Sequence, residues 1–225
     1  MRKHPVIYGI SLVFLSGLGF LVLMYGLSSL MGNMPFFPRD DKVGVISISG
    51  IISSSQEIVE QVTEFKNDKT IKAVVIRINS PGGEVASAQE IYAAIKGLKK
   101  HKKVVASLGS IAASGGYMVA CAADKIVANP GTLTGSISAI MYFANAEDLL
   151  KKIGLKSSVV KSGKYKDIGS PTREMTVDER SILQALVDDI FDNFMMLLHR
   201  TGKFPKTRLK RSPTAGFFPA GRRKC

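Results

Sequence analysis

The sequence holds no tryptophan, two cysteines and three histidines in 225 residues. Each shortage closes off a kind of chemistry. Cys121 and Cys225 form neither a CxxC pair nor a disulfide framework, so thiol redox and zinc-thiolate functions have no support. Cys121 lies in an Ala-rich stretch and reads as a small core residue. His4 precedes an apolar segment, His101 sits in the turn KKHKK, and His199 ends a helical pattern. Each reads as a surface histidine, so no metal site is expected. Neither GxxxxGK[ST] nor GxGxxG occurs, which removes the usual phosphate and dinucleotide loops, and no cofactor is expected.

Charge is missing from one end and negative charge from the other. No charged residue lies between Pro5 and Pro38, while Arg2 and Lys3 precede the run. About 20 helical residues cross a bilayer core of about 30 Å, so this run is long enough for an anchor. A cleaved signal peptide would have a shorter apolar region and a small-x-small site, but no alanine occurs before Ala73. The positive-inside bias then keeps residues 1–4 in the cytoplasm, with a transmembrane anchor over 5–32 and a linker over 33–42. Everything beyond the anchor is expected on the extracytoplasmic side. At the other end, residues 200–225 carry nine Lys or Arg and no acid. Removing those nine charges from the net +13 leaves +4, so the basic pI describes a solvated tail over 201–225, expected to be disordered, and no nucleic-acid partner is expected.

Between these ends, strand and helix patterns alternate. VGVISISG (43–50), KAVVIRINSPGG (72–83), KVVASLG (103–109), KIVANP (125–130), TLTGSISAI (132–140) and LKSSVVKSG (155–163) read as strands. Serine-capped SSSQEIVEQVTEFKND (53–68), EVASAQEIYAAIKGLKK (84–100) and DERSILQALVDDIFDNFMMLLHR (178–200) read as helices. Strands alternating with crossover helices predict an α/β fold with a mostly parallel sheet.

Three glycine-rich turns follow strands: NSPGG (79–83), GSIAASGG (109–116) and PGTLTGS (130–136). In open α/β folds, sites form outside the carboxyl ends of strands, so adjacent turns share one cleft. A double glycine before a helix offers exposed backbone N–H groups to a developing negative charge, as an oxyanion hole requires. Ser114, flanked by alanines and glycines, begins a helix, and the Gly115 N–H is available beside it. No histidine has the setting of a triad base. A lysine serves if its amine is neutral, and KSGKYKD supplies Lys161, Lys164 and Lys166. Composition does not choose among the three.

SPGGEVASAQEI, GSIAASGGYMVACAADKIVANPGTLTGSI and KSGKYKDIGSPTREMT, in this order and spacing, resemble the signal peptide peptidase A family of membrane-bound serine proteases. The resemblance runs from about Val43 to the helix at 178–200. It implies a peptidase domain over 43–200 with a Clp protease/crotonase-like β-β-α superhelix. It implies Ser114 as nucleophile, Lys166 as general base, Ser136 as the hydroxyl that holds the lysine amine, and Gly83 with Gly115 as oxyanion donors. It also implies a homo-oligomer whose sites form between neighbours, remnant signal peptides and other extended chains as substrates, and the bacterial plasma membrane as location. After HRTGK the chain departs from that pattern with FPKTRLKRSPTAGFFPAGRRKC, which reads as a shifted frame or a truncation. Two alternatives follow: an inactive membrane scaffold of the same fold, and a crotonase-like acyl-CoA enzyme, which would need neither Ser114 nor Lys166.

Overall fold

The computed structural model describes residues 5–30, 41–201 and 217–219. Helix α1 (Pro5–Leu30) carries no charged residue, and Tyr8–Leu27 is long and apolar enough to cross a membrane. Most of the expected linker and most of the basic tail lie outside the described residues.

The second unit starts at Asp41 and is built on a parallel sheet. Strand β1 (Lys42–Ile52) pairs with β2 (Ile71–Gly83), and β2 pairs with β3 (Lys103–Ala113). Helix α2 (Gln56–Asn67) links the first pair and α3 (Val85–Leu98) the second. Period-2 alternation in these strands puts Ile46, Ile48, Val74, Ile76, Ile78, Val104 and Ala106 in the core. Ala88, Ile91, Ile95 and Leu98 recur at helical spacing along α3 and are fully buried with them. Burying one such Ile or Leu stabilises the fold by roughly 1.5–3 kcal/mol. The alternate residues Val43 and Val45 of β1 are exposed.

Strand β3 outruns its first partner. Val105–Ser107 pairs with β4 (Lys125–Val127), and Ile111–Ala113 pairs with β5 (Leu133–Gly135). Buried α4 (Gly115–Cys121) leaves the end of β3, so Ser114 stands where strand becomes helix. Helix α5 (Glu147–Lys152) is short and was not expected. Helix α6 (Val177–Arg200) buries Phe194 and Leu198. Strand β6 (Phe217–Pro219), within the basic tail, pairs antiparallel with β5.

Several expectations are corrected. TLTGSISAI is a strand only over 133–135, and LKSSVVKSG is not a strand. Its Val160 is fully exposed and Val159 is half exposed. A strand needs a neighbour for its backbone groups, and no described segment runs beside this one. The serines before α2 act differently from a simple cap: Ser55 makes no capping bond, and its hydroxyl donates to Glu90 on α3. His199 is half-buried, and its Nδ1 has no hydrogen-bond partner among the described residues.

Candidate active site

Ser114 has φ 50° and ψ −123°, a backbone conformation that an L-residue with a side chain rarely adopts. Non-glycine residues held there cost about 1–3 kcal/mol each and persist only where the surroundings impose them. Those surroundings are visible. The Ser114 N–H donates to Gly135 O at 2.8 Å, tying the serine to the TLTGS turn. Thr132 and Thr134, both buried, donate their hydroxyls to Gly109 O (2.8 Å) and Ala112 O (2.9 Å) and lock that turn to β3. Ser136, next in the turn, also has positive φ (49°). The structure therefore brings Ser114 and the Gly135–Ser136 peptide together.

The SPGG turn closes on the same place from β2. A Cβ on Gly82 would stand 2.8 Å from both Gly115 N and Ser114 Cβ, and Gly82 has φ 104°. Only glycine fits there, and the sequence reading overlooked this position in favour of its neighbour. Gly83 is exposed and packs against Ile52 of β1. Its N lies 3.7 Å from where a Cβ on Gly115 would be. The Gly83 and Gly115 backbones thus approach each other beside Ser114. Ser80, fully buried, accepts from Gly82 N at 3.1 Å and fixes the turn.

The lysines are differently placed. Lys161 ion-pairs with Asp167, and Lys164 Nζ lies 2.9 Å from Asp178 Oδ2. The hydrogen bond it donates to Asp178 pushes the Lys164 amine well above the ordinary lysine range, so it stays protonated. Lys166 is exposed, and among the described residues its amine has no ion pair. No hydrogen bond joins Lys166 to the Ser114 or Ser136 hydroxyl within the chain. The loop carrying Lys166 is anchored through Asp167 to Arg173, and through Arg173 to Glu179 at the start of α6.

That anchor has a pH signature. Glu179 is buried, receives Arg173 Nη1 at 2.8 Å and the Thr176 N–H at 2.9 Å, and is held down at about 2. Arg173, then Lys161, hold Asp167 below the usual carboxylate range. Groups depressed in the folded state stabilise it above their unfolded values near 4, and that stability fades as pH falls toward 2. Glu179→Gln is therefore expected to destabilise the protein most above about pH 5, with the gap from wild type closing between about pH 4 and 2. Urea unfolding across that range measures it; a gap independent of pH would detach the carboxylate charge from the effect.

A parallel sheet with helices against it, and glycine-rich turns gathered at the ends of β2, β3 and β5, make this a Clp protease-like α/β fold. The family model for Clp protease matches residues 42–134. The model for peptidase family S49 matches residues 96–220, more than half the sequence. The chain belongs to that family, the signal peptide peptidase A family of serine peptidases. It is 45% identical over 155 residues to a candidate protease, slr0021, of Synechocystis sp., covering 68% of this chain and 56% of that one. It is 33% identical over 152 residues to the chloroplastic serine protease SPPA of Arabidopsis thaliana, covering 67% and 22%. Against protease 4 of Haemophilus influenzae it is 29% identical over 195 residues, covering 81% and 31%. The chain spans from about a fifth to just over half of the length of these curated relatives.

Proposed function

We propose that this protein is a membrane-anchored serine endopeptidase that cleaves remnant signal peptides and other extended chains on the extracytoplasmic face of the bacterial plasma membrane. The observation that carries this reading is the strained Ser114 at the β3–α4 turn, with the Gly82–Gly83 backbone closed against it. The organisation that goes with it is an anchor over 5–32, a linker over 33–42, a peptidase domain over 43–200 and a basic tail.

The proposed chemistry assigns one role to each group of the site. Ser114 Oγ attacks the scissile carbonyl carbon as the neutral Lys166 amine takes its proton. The carbonyl oxygen gains negative charge, which the Gly83 and Gly115 N–H groups receive. The lysine ammonium returns the proton to the departing amine, leaving an ester on Ser114. Water, deprotonated by the same amine, hydrolyses that ester and restores the hydroxyl. Ser136 directs the amine toward Ser114. A main chain laid along a strand edge gains ladder hydrogen bonds whatever its side chains, which suits varied extended substrates.

The Lys166 amine makes no bond to Ser114 within one chain, and large apolar side chains of the preceding segment stand exposed: Ile140, Tyr142, Ile153, Leu155 and Val160. Both observations favour a homo-oligomer in which a neighbour's loop completes each site. The inactive-scaffold reading draws on the same missing bond. A fluorophosphonate probe separates the two. The full chain in detergent micelles is expected to take one phosphonyl group on Ser114, mapped by mass spectrometry, because the probe needs an activated serine and no particular peptide. Absence of labelling in a folded, oligomeric sample would support the scaffold.

A further inference from the structure

Asp167 follows Lys166 directly, and this raises a difficulty for any use of Lys166 as a base. A carboxylate within several ångströms favours the ammonium form of an amine and so removes the base. In the structure that carboxylate is already taken. Arg173 Nε lies 3.0 Å from Asp167 Oδ2, and Arg173 Nη2 reaches the Asp167 carbonyl at 3.3 Å. The other edge of the guanidinium is forked onto Glu179, at 2.8 Å to Oε2 and 2.5 Å to Oε1. Glu179 cannot drift, because it is buried and forms a capping box with Thr176. Lys161 closes the second oxygen of Asp167. A planar fork of five donors can serve two carboxylates and a carbonyl together, which a lysine in its place cannot.

We propose that Arg173 is a positioning residue for Lys166: anchored on Glu179, it occupies the Asp167 carboxylate and carbonyl, fixing the Lys166 backbone and neutralising the carboxylate that follows it. The inference rests on the reading of Lys166 as the base. The charged and titratable groups around the loop are Lys161, Lys164, Tyr165 and Asp167 on it, Arg173 and Glu174 beyond it, Asp178 and Glu179 on α6, and Glu147 of α5, which accepts from Glu174 N at 3.1 Å. Of these, Asp167 is the carboxylate adjacent in sequence, and Arg173 is its largest compensating partner.

Trace acetylation of the full chain in micelles with acetic anhydride, read by mass spectrometry at Lys166 across pH 6–11, reports amine availability without requiring turnover. Arg173→Met frees the Asp167 charge and is expected to move the Lys166 labelling midpoint up by about half a pH unit or more. Asp167→Asn removes that negative charge and leaves Lys161 unpaired, with Arg173 still held by Glu179, and is expected to move it down. The double variant is expected near wild type. Opposite signs distinguish charge control from mere loosening, which would shift both variants alike. Arg173→Lys, keeping the charge without the fork, is expected to hold the midpoint and lower kcat roughly tenfold at unchanged KM. If Arg173→Met fails to fold, Asp167→Asn and Arg173→Lys still decide the matter. Midpoints that stay fixed, or move together, overturn the proposal. Peptidase activity that survives Lys166→Ala overturns the reading beneath it, whatever the labelling shows.

Discussion

Ser114→Ala is expected to lower kcat on an apolar peptide at least about 10³-fold, with the thermal unfolding midpoint nearly unchanged. The two halves of this expectation have separate causes. The Ser114 hydroxyl makes no capping bond, and among the described residues it has no hydrogen-bond partner, so the fold does not depend on it. The positive φ is imposed by the Gly135 carbonyl and by the Gly82 approach, and alanine must tolerate it as serine does. Removing the oxygen therefore removes the nucleophile without disturbing the turn. Residual activity from the oxyanion donors alone is orders of magnitude lower. Turnover measured beside a thermal melt checks both halves. Unreduced turnover would place the nucleophile elsewhere.

The sequence was most informative where local rules and tertiary packing agree. Strands β1–β3 carry unbroken β-branched patterns, α3 carries a clean helical stripe, and their bounds came close to those observed. Ser114 and Gly115 stand out through glycine punctuation, because a tight turn at a strand end needs glycine wherever it occurs, whereas the roles expected of Gly83 and Ser136 come from the family resemblance. The segment 155–163 was misread because β-branched residues describe a preference for a pleated, half-buried surface, and no such surface meets Val159 and Val160 in this chain. Gly82 was passed over because the demand for a missing Cβ comes from Ser114 and Gly115, more than thirty residues away. The clamp of Arg173 was partly legible: Thr176 and Glu179 have capping-box spacing, but nothing local says that the same glutamate also holds an arginine. Composition leaves Lys161, Lys164 and Lys166 open and the resemblance points to Lys166; in the structure the other two engage Asp167 and Asp178.

Lys166→Ala is expected to lower kcat about 10²- to 10⁴-fold, the range of a positioned general base. The more telling experiment combines it with the serine variant. Chains bearing Ser114→Ala and chains bearing Lys166→Ala are each expected to be inactive. If every site takes its serine from one protomer and its lysine from a neighbour, random co-assembly unites both intact residues in about a quarter of the sites. Co-expressed variants should then regain roughly that share of wild-type turnover, a gain of about 25-fold or more over either variant alone. The exposed apolar side chains that precede the lysine loop in the chain make such docking favourable, since Tyr142, Ile153, Leu155 and Val160 leave water only when another surface covers them. Sites completed within a single chain would leave the mixture as inactive as its parts. That outcome would require the Lys166 loop to fold back onto its own Ser114, and the face expected to dock against a neighbour would need another explanation.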